Sequence, residues 1–259
     1  MFSTFTNSYS YGKRYFIINT PNALPNLQVS FNAGVSNTTN FNAVLTNGDD
    51  VGQWKDTSGG AHAANQSGNA SKKPNWYSNI QNGLGAILFN GTSESLNINP
   101  VSFLQNSGAG LSGFSLYVVA KASSLSGTRP ITGSDVDGMK IYYDGTNWGI
   151  KIASGVGTSS LVGDTTKFHV FSLIYDGTKT GNANRARFRY DGVEQTLTYT
   201  GTVGATTNGA ITKFFVGEDG KTPTSYFSGY IAEMIMFSRT NTSTEIPAIE
   251  GYLKATWGL

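Results

Sequence analysis

Apolar and polar residues alternate along most of this chain, in short runs closed by Gly, Asn or Asp. A spacing of two puts successive side chains on opposite faces, so these runs predict β-strands. GAILFNG (85–91) predicts a short buried strand ended by Asn90-Gly91. GFSLYVVAK (113–121) is apolar on both faces and predicts a strand in the middle of a sheet. FHVFSLIYDG (168–177) predicts another long strand, and MKIYYDGTNWGIKIAS (139–154) a hairpin turning at Asp144-Gly145. The clearest hairpin is NRARFRYDGVEQTLTYT (184–200). With Asp191-Gly192 as a two-residue turn, Tyr190 faces Val193 and Arg189 faces Glu194. Phe188, Tyr190, Val193 and Leu197 then share one face, and Arg185, Arg187, Arg189, Glu194, Thr196 and Thr198 the other. A single register that sorts both strands in this way supports the pairing. ITKFFVGEDG (211–220) and FSGYIAEMIMFSR (227–239) complete the strands.

The period changes only near the end. Ile246, Ile249, Leu253 and Trp257 make one apolar stripe at helical spacing and predict a helix over 244–256. Thr242 and Glu245 have capping-box spacing, and Pro247 sets the start near Thr244, because proline fits only the first turn. Many strands, antiparallel hairpins and one late helix predict an all-β fold: a two-sheet antiparallel jelly-roll sandwich with a short C-terminal helix. This sandwich is assigned to residues 27–259. Residues 1–26 end in TPNALPN, whose two prolines oppose helix. They read either as an N-terminal arm or docking segment, or as a first edge strand of the sandwich.

Composition narrows the function classes. Charged residues are only 13% of the chain, about half the usual share, so hydroxyls and amides supply much of the polarity. A net charge of +2 makes no whole-chain case for nucleic acid. The lack of cysteine excludes disulfides and thiolate metal sites. The opening MFSTFTNSYSYGKRYF lacks the basic-then-apolar order of a signal peptide, and no apolar run reaches membrane-spanning length. Neither membrane insertion nor signal-directed export is expected.

VGQWKDTSGGAHAANQSGNASKKPNWYSNIQNGLGAILFNGTSESLNI (51–98) resembles the opening of the laminin G-like, concanavalin A-like lectin/glucanase superfamily. The matching features are Trp54, Asp56, Ser58-Gly59, Pro74, Gly83 and the strand ending FNGTSESL, where the family usually has Asp at the position of Asn90. The hairpin RFRYDGVEQTL (187–197) and the tail FSGYIAEMIMFSRTNTSTEIPAIEGYLKATWGL (227–259) resemble the family's closing elements, so the likeness covers roughly 45–259. It implies two stacked antiparallel sheets but no single activity, since members include sugar binders, protein binders, hydrolases and virion proteins.

Glu233 is the one acid in an apolar run. A retaining glycosidase needs two carboxylates about 5 Å apart. The family's glucanases place acids at alternating positions of one strand, whereas Ile231 and Ile235 flank Glu233. No E-x-D-x-E pattern occurs, and Glu218 and Asp219 point opposite ways if extended. Glu233 is therefore expected to accept hydrogen bonds from buried backbone or hydroxyl groups at a sheet–helix junction. His169, among Phe168, Val170 and Phe171, reads as a satisfied sheet histidine, and His62 has no triad pattern around it. Asp135 and Asp137, with Asp49 and Asp50, are weak metal candidates. Ca²⁺ suits a family rim site, but too few acids cluster, so an ordinary polar turn and no cofactor are expected.

Tyr143, Trp148, Trp76 and Tyr77 are the candidate ligand-binding aromatics, because sugar C–H faces stack on rings; for Trp148 a core position is an equal alternative. Arg185, Arg187 and Arg189 form either a solvated face or a docking stripe for an anionic surface. Together these readings predict a non-catalytic recognition or assembly module. It would be a virion structural protein, a capsid decoration or tail-fibre component that is part of an oligomer. Its partners would be other virion or assembly proteins and cell-surface glycans, its location the virion surface or, alternatively, the extracellular space. A glycan-cleaving hydrolase on the same fold and a secreted adhesin module are the alternatives.

Overall fold

The computed structural model describes residues 20–259, apart from 67, 137 and 223, and the backbone alone of 7–10 and 13–16. Residues 1–6, 11, 12 and 17–19 of the expected arm lie outside the described residues. Strands β1 (Asn7–Ser10) and β2 (Lys13–Phe16) pair only with each other. The sandwich begins with β3 (Leu27–Asn32), β4 (Asp49–Asp50), β5 (Gln53–Trp54), β6 (Ala64–Asn65), β7 (Asn75–Gln81), β8 (Leu84–Asn90) and β9 (Leu96–Ile98). A helical turn, α1 (Ser102–Gln105), precedes β10 (Gly113–Ala122), β11 (Arg129–Ser134), β12 (Met139–Tyr143), β13 (Asn147–Ile152), β14 (Gly155–Val162) and β15 (His169–Asp176). A second turn, α2 (Asn182–Arg185), leads to β16 (Ala186–Tyr190), β17 (Val193–Gln195), β18 (Thr198–Thr200), β19 (Phe214–Val216) and β20 (Ser228–Phe237). The chain then forms α3 (Glu245–Trp257), the one long helix among the described residues.

Two antiparallel sheets stack face to face, as the alternation predicts. One has the order β17-β16-β15-β10-β20-β8-β7-β4. In it β8 pairs with the first part of β20, Ser228–Ile231, and β3 with the rest, Glu233–Phe237. The other has the order β18-β14-β13-β12-β11-β19-β9-β6-β5. The β16–β17 hairpin has the register read from the sequence: Tyr190 opposite Val193 and Arg189 opposite Glu194.

The main core lies between the sheets and includes Phe31, Trp54, Phe89, Leu116, Val118, Ile141, Ile150, Phe171 and Met234, all buried. A second core lies on the far face of the first sheet. There Tyr117, Val119, Ile235 and Phe237 pack with Ile246, Ile249, Leu253 and Trp257 of α3. This explains the apolar character of both faces of GFSLYVVAK: Leu116 and Val118 point between the sheets, Tyr117 and Val119 toward the helix. Each large side chain so buried contributes about 1.5–3 kcal/mol. The helix starts as the sequence predicts, with Thr242 N donating to Glu245 Oε2 at 2.8 Å and Glu245 N to Thr242 Oγ1 at 3.3 Å. The Arg239 guanidinium, at 2.8 and 2.7 Å from the Glu245 oxygens, holds that carboxyl down to about 2.

Candidate functional site

Because α3 covers one outer face of the sandwich, the outer face of the second sheet is the one the described residues leave open. Alternation decides what it presents. On β12 and β13, Met139, Ile141, Tyr143, Trp148, Ile150 and Ile152 enter the core, which turns Lys140, Tyr142 and Lys151 outward. On β5, β6 and β9, Trp54, Ala64, Leu96 and Ile98 are buried, which turns Gln53, Asn65 and Asn97 outward. Registers place Gln53 opposite Asn65, Asn65 opposite Asn97, and Asn97 opposite Phe215, so three amides and a half-buried ring form one row across the strands.

Internal bonds hold the amides. Gln53 Nε2 donates to Asn65 Oδ1 at 2.8 Å, and Asn97 Nδ2 to the Asn65 carbonyl at 3.1 Å. An amide has two N–H donors and one acceptor oxygen, so valences at Gln53 and Asn97 are left for a ligand. Beside them is a depression of about 430 Å³ lined by Gln53, Asn65, His62, Asn99 and Pro100. The His62 ring lies 4.5 Å from that of Phe103, and burial pushes its pKa down against the opposing charge of Asp56. His62 is thus a neutral, partly apolar wall.

A smaller depression, of about 150 Å³, lies by β11–β13 and is lined by Lys140, Lys151, Lys221, Asp219, Val136 and Met139. Lys140 Nζ is 2.9 Å from Asp219 Oδ2 and 4.5 Å from the centre of the Tyr142 ring. The loop bearing Asp219 crosses β11 so closely that a Cβ on Gly133 would fall 2.1 Å from the Asp219 carbonyl oxygen. Glycine is required by this approach. Glu218, next in the chain, is buried and accepts from Ser95 Oγ at 2.6 Å, so the two acids point opposite ways as expected.

The other sequence candidates are dispersed, and several roles change. Tyr143 and Trp148 are buried on the inner side of the open sheet with ring centres 5.4 Å apart; the alternation that makes the hairpin turns them inward. Trp76 is also core, with its Nε1 donating to the Ala33 carbonyl at 2.8 Å, and Tyr77 lies on the other sheet, edge-on to Tyr230. These four do not form a ligand platform. Arg185, Arg187 and Arg189 do not form a stripe on one strand either. Arg185 ends the α2 turn and donates to the carbonyls of Lys179 and Val203, both at 2.7 Å. Arg187 lies 3.6 Å from Glu194, and Arg189 turns under α3 to Glu250 at 2.8 and 2.9 Å.

Asp135 accepts from the Thr212 backbone N–H at 3.0 Å, and Asp137 lies outside the described residues. Among the described residues no group of three or more His, Asp or Glu could hold a metal ion. His169 lies between Asp191, 2.7 Å from Nδ1, and Asp164, 3.3 Å from Nε2.

Glu233 accepts hydrogen bonds at the sheet–helix junction, from one hydroxyl as expected and from an indole N–H that was not. It is 1% exposed and accepts from Trp257 Nε1 at 2.6 Å and Tyr252 OH at 3.2 Å, both on α3. Burial pushes its pKa up to about 7, and these hydrogen bonds pull the other way. Below the ordinary value of 4.5 the group is neutral folded and unfolded. As pH rises from there to about 7 the unfolded chain ionises first, so stability falls; above 7 the full cost remains. Glu233→Gln removes this titration. Between pH 4.5 and pH 8 the wild type is expected to lose about 2–3 kcal/mol relative to the variant in denaturant melts. Parallel stability curves would contradict this burial effect.

No family model matches the chain, and no curated protein matches it. It is similar to solved structures of glycan-acting proteins. Trypanosoma rangeli sialidase in complex with 2,3-difluoro-KDN matches with a TM-score of 0.59 and 16% identity, over 90% of this chain and 33% of that one. The same sialidase in complex with sialic acid matches with a TM-score of 0.57 and 14% identity, over 98% of this chain and 36% of that one. Domain 4 of AbnA, a GH43 extracellular arabinanase from Geobacillus stearothermophilus, solved in complex with arabinotriose, matches with a TM-score of 0.53 and 15% identity. That match covers 85% of this chain and 96% of the domain. The chain thus spans about a third of the length of the sialidases. At these identities the shared property is the β-sandwich fold. The comparisons correct the expectation of a non-catalytic virion module that is not an enzyme: the similar structures are sialidases and a domain of an arabinanase, not virion proteins.

Proposed function

We propose that this chain serves glycan cleavage as the saccharide-holding sandwich of a glycoside-hydrolase-type protein, with the open sheet's outer face as the glycan surface. The observation that carries the reading is the amide row Gln53–Asn65–Asn97, running to Phe215 and flanked by a depression of about 430 Å³. Sugars need paired donors and acceptors for their hydroxyls and an apolar surface for their C–H faces; amides and a ring supply both. The sialidases and the arabinanase domain solved with arabinotriose support the same reading by likeness of fold. Membership of the concanavalin A-like superfamily, with the laminin G-like form, is part of the proposal, supported by the stacked antiparallel sheets and the sequence motifs.

Two carboxylates near the face are held by internal bonds: Asp56 accepts from Ser30 N, Ser58 Oγ and His62 N, and Asp219 is paired with Lys140. The test is a titration of the isotope-labelled chain with neutral and acidic oligosaccharides, arabinotriose among them, followed residue by residue by NMR. Reducing-end release is assayed alongside. Saturable shifts on the amide row are expected; a folded chain that neither binds nor cleaves any of them overturns the proposal.

A further inference from the structure

Resting on that glycan reading, we propose that His62 selects the sugar: the depression of about 430 Å³ beside the amide row is a subsite for an uncharged sugar residue and disfavours acidic ones. Its polar lining is Gln53, Asn65, Asn99 and His62, with apolar surface from Ile98 and Pro100. Among the described residues no aspartate, glutamate, lysine or arginine lines it. A carboxylate entering here would leave water without meeting a cation, so its desolvation goes uncompensated. Sugar hydroxyls exchange water for amide donors and acceptors and lose far less.

The loop that carries His62 is held from several sides. Asp56 Oδ1 accepts from Ser30 N and Ser58 N, both at 2.9 Å, and Oδ2 accepts from Ser58 Oγ at 2.8 Å and His62 N at 3.1 Å. One carboxylate thus ties the His62 backbone to β3. Gly60 passes so close that a Cβ there would fall 2.7 Å from the Gln28 carbonyl oxygen and 2.8 Å from His62 Cδ2. Phe103 packs on the ring, centre to centre at 4.5 Å. The imidazole is therefore positioned before any ligand arrives, yet among the described residues neither of its nitrogens takes part in a hydrogen bond. Burial favours its uncharged form, with one N–H donor and one acceptor nitrogen. A sugar hydroxyl both donates and accepts, so it suits either nitrogen. A carboxylate only accepts, and it is repelled by the Asp56 carboxylate, which is close enough to act on the His62 ring.

The test is calorimetric titration of the full chain with arabinotriose, α-1,4-linked galactotriose and trigalacturonate, the last two differing in their C6 hydroxyls and carboxylates. At least one neutral trisaccharide is expected to bind about tenfold more tightly than trigalacturonate. His62→Phe keeps a ring against Phe103 and Gly60 and removes both nitrogens. Binding of that neutral sugar should then fall about fivefold, as for the loss of one hydrogen bond. His62→Gln brings back a donor and an acceptor and should recover most of the affinity. Matching melting transitions show that both variants are folded. Trigalacturonate bound as tightly as the neutral sugars, or neutral binding unchanged in the folded phenylalanine variant, overturns this proposal and leaves the glycan reading standing. A loss that glutamine does not restore marks a packing effect and overturns it in the same way. Binding of none of the three saccharides overturns both.

Discussion

Trp257→Ala is expected to destabilise the protein by about 3–5 kcal/mol, at the upper end for a buried aromatic. The ring is fully buried between α3 and the first sheet, in one core with Ile249, Leu253, Val119 and Ile235. Truncation removes its apolar area and leaves a cavity that the rigid sheet cannot close. It also removes the 2.6 Å hydrogen bond to Glu233, leaving a buried carboxyl with fewer donors. Trp257→Phe keeps much of the packing and loses mainly the donor, so it should cost clearly less. Urea denaturation of both variants, read as the shift in midpoint at constant slope, is the measurement. A loss below about 1 kcal/mol for the alanine variant would show that the helix is not a structural half of the second core.

Arg189→Ala is expected to cost a similar amount, about 3–5 kcal/mol, for a different reason. Glu250 is 2% exposed and accepts from Arg189 at 2.8 and 2.9 Å and from Ser172 Oγ at 2.8 Å. Removing the guanidinium strands the carboxylate beneath α3, where desolvation is only partly offset by one hydroxyl. The pair itself contributes far less than its loss suggests, because both charges had to leave water. Arg189→Met/Glu250→Leu should therefore recover much of the stability lost in Arg189→Ala. If the double variant is the weaker of the two, the buried pair is a net stabiliser and this account of it is wrong.

Much of the fold was legible because the relevant patterns are local. The period-two runs and the Asp191-Gly192 turn specify the β16–β17 register, which fixes the faces of its strands. The stripe Ile246, Ile249, Leu253, Trp257 and the Thr242–Glu245 pattern specify α3. Even the role of Glu233 was readable, since an isolated acid in an apolar strand before a helix has few other ways to be satisfied.

The site was less legible, for two physical reasons. In MKIYYDGTNWGIKI the alternation already assigns Tyr143 and Trp148 to the face of Ile141 and Ile150, and Lys140, Tyr142 and Lys151 to the other. Proximity of the aromatics to a turn suggested exposure, while the pleat turned them inward. The signal for the lysines was present in the same hairpin. The amide row had no comparable signal. Gln53, Asn65 and Asn97 come from strands of two or three residues, brought together by pairings that no local pattern announces. The arginine row failed because Arg185 belongs to a helical turn before the strand, and because a helix sixty residues on supplies Glu250 for Arg189.

The central claim, that the open sheet's outer face holds a saccharide, is tested most directly by the NMR titration followed residue by residue. The account predicts saturable shifts at Gln53, Asn65, Asn97 and Phe215. Shifts confined to α3 or to the β16–β17 hairpin, with the open face silent, would contradict it.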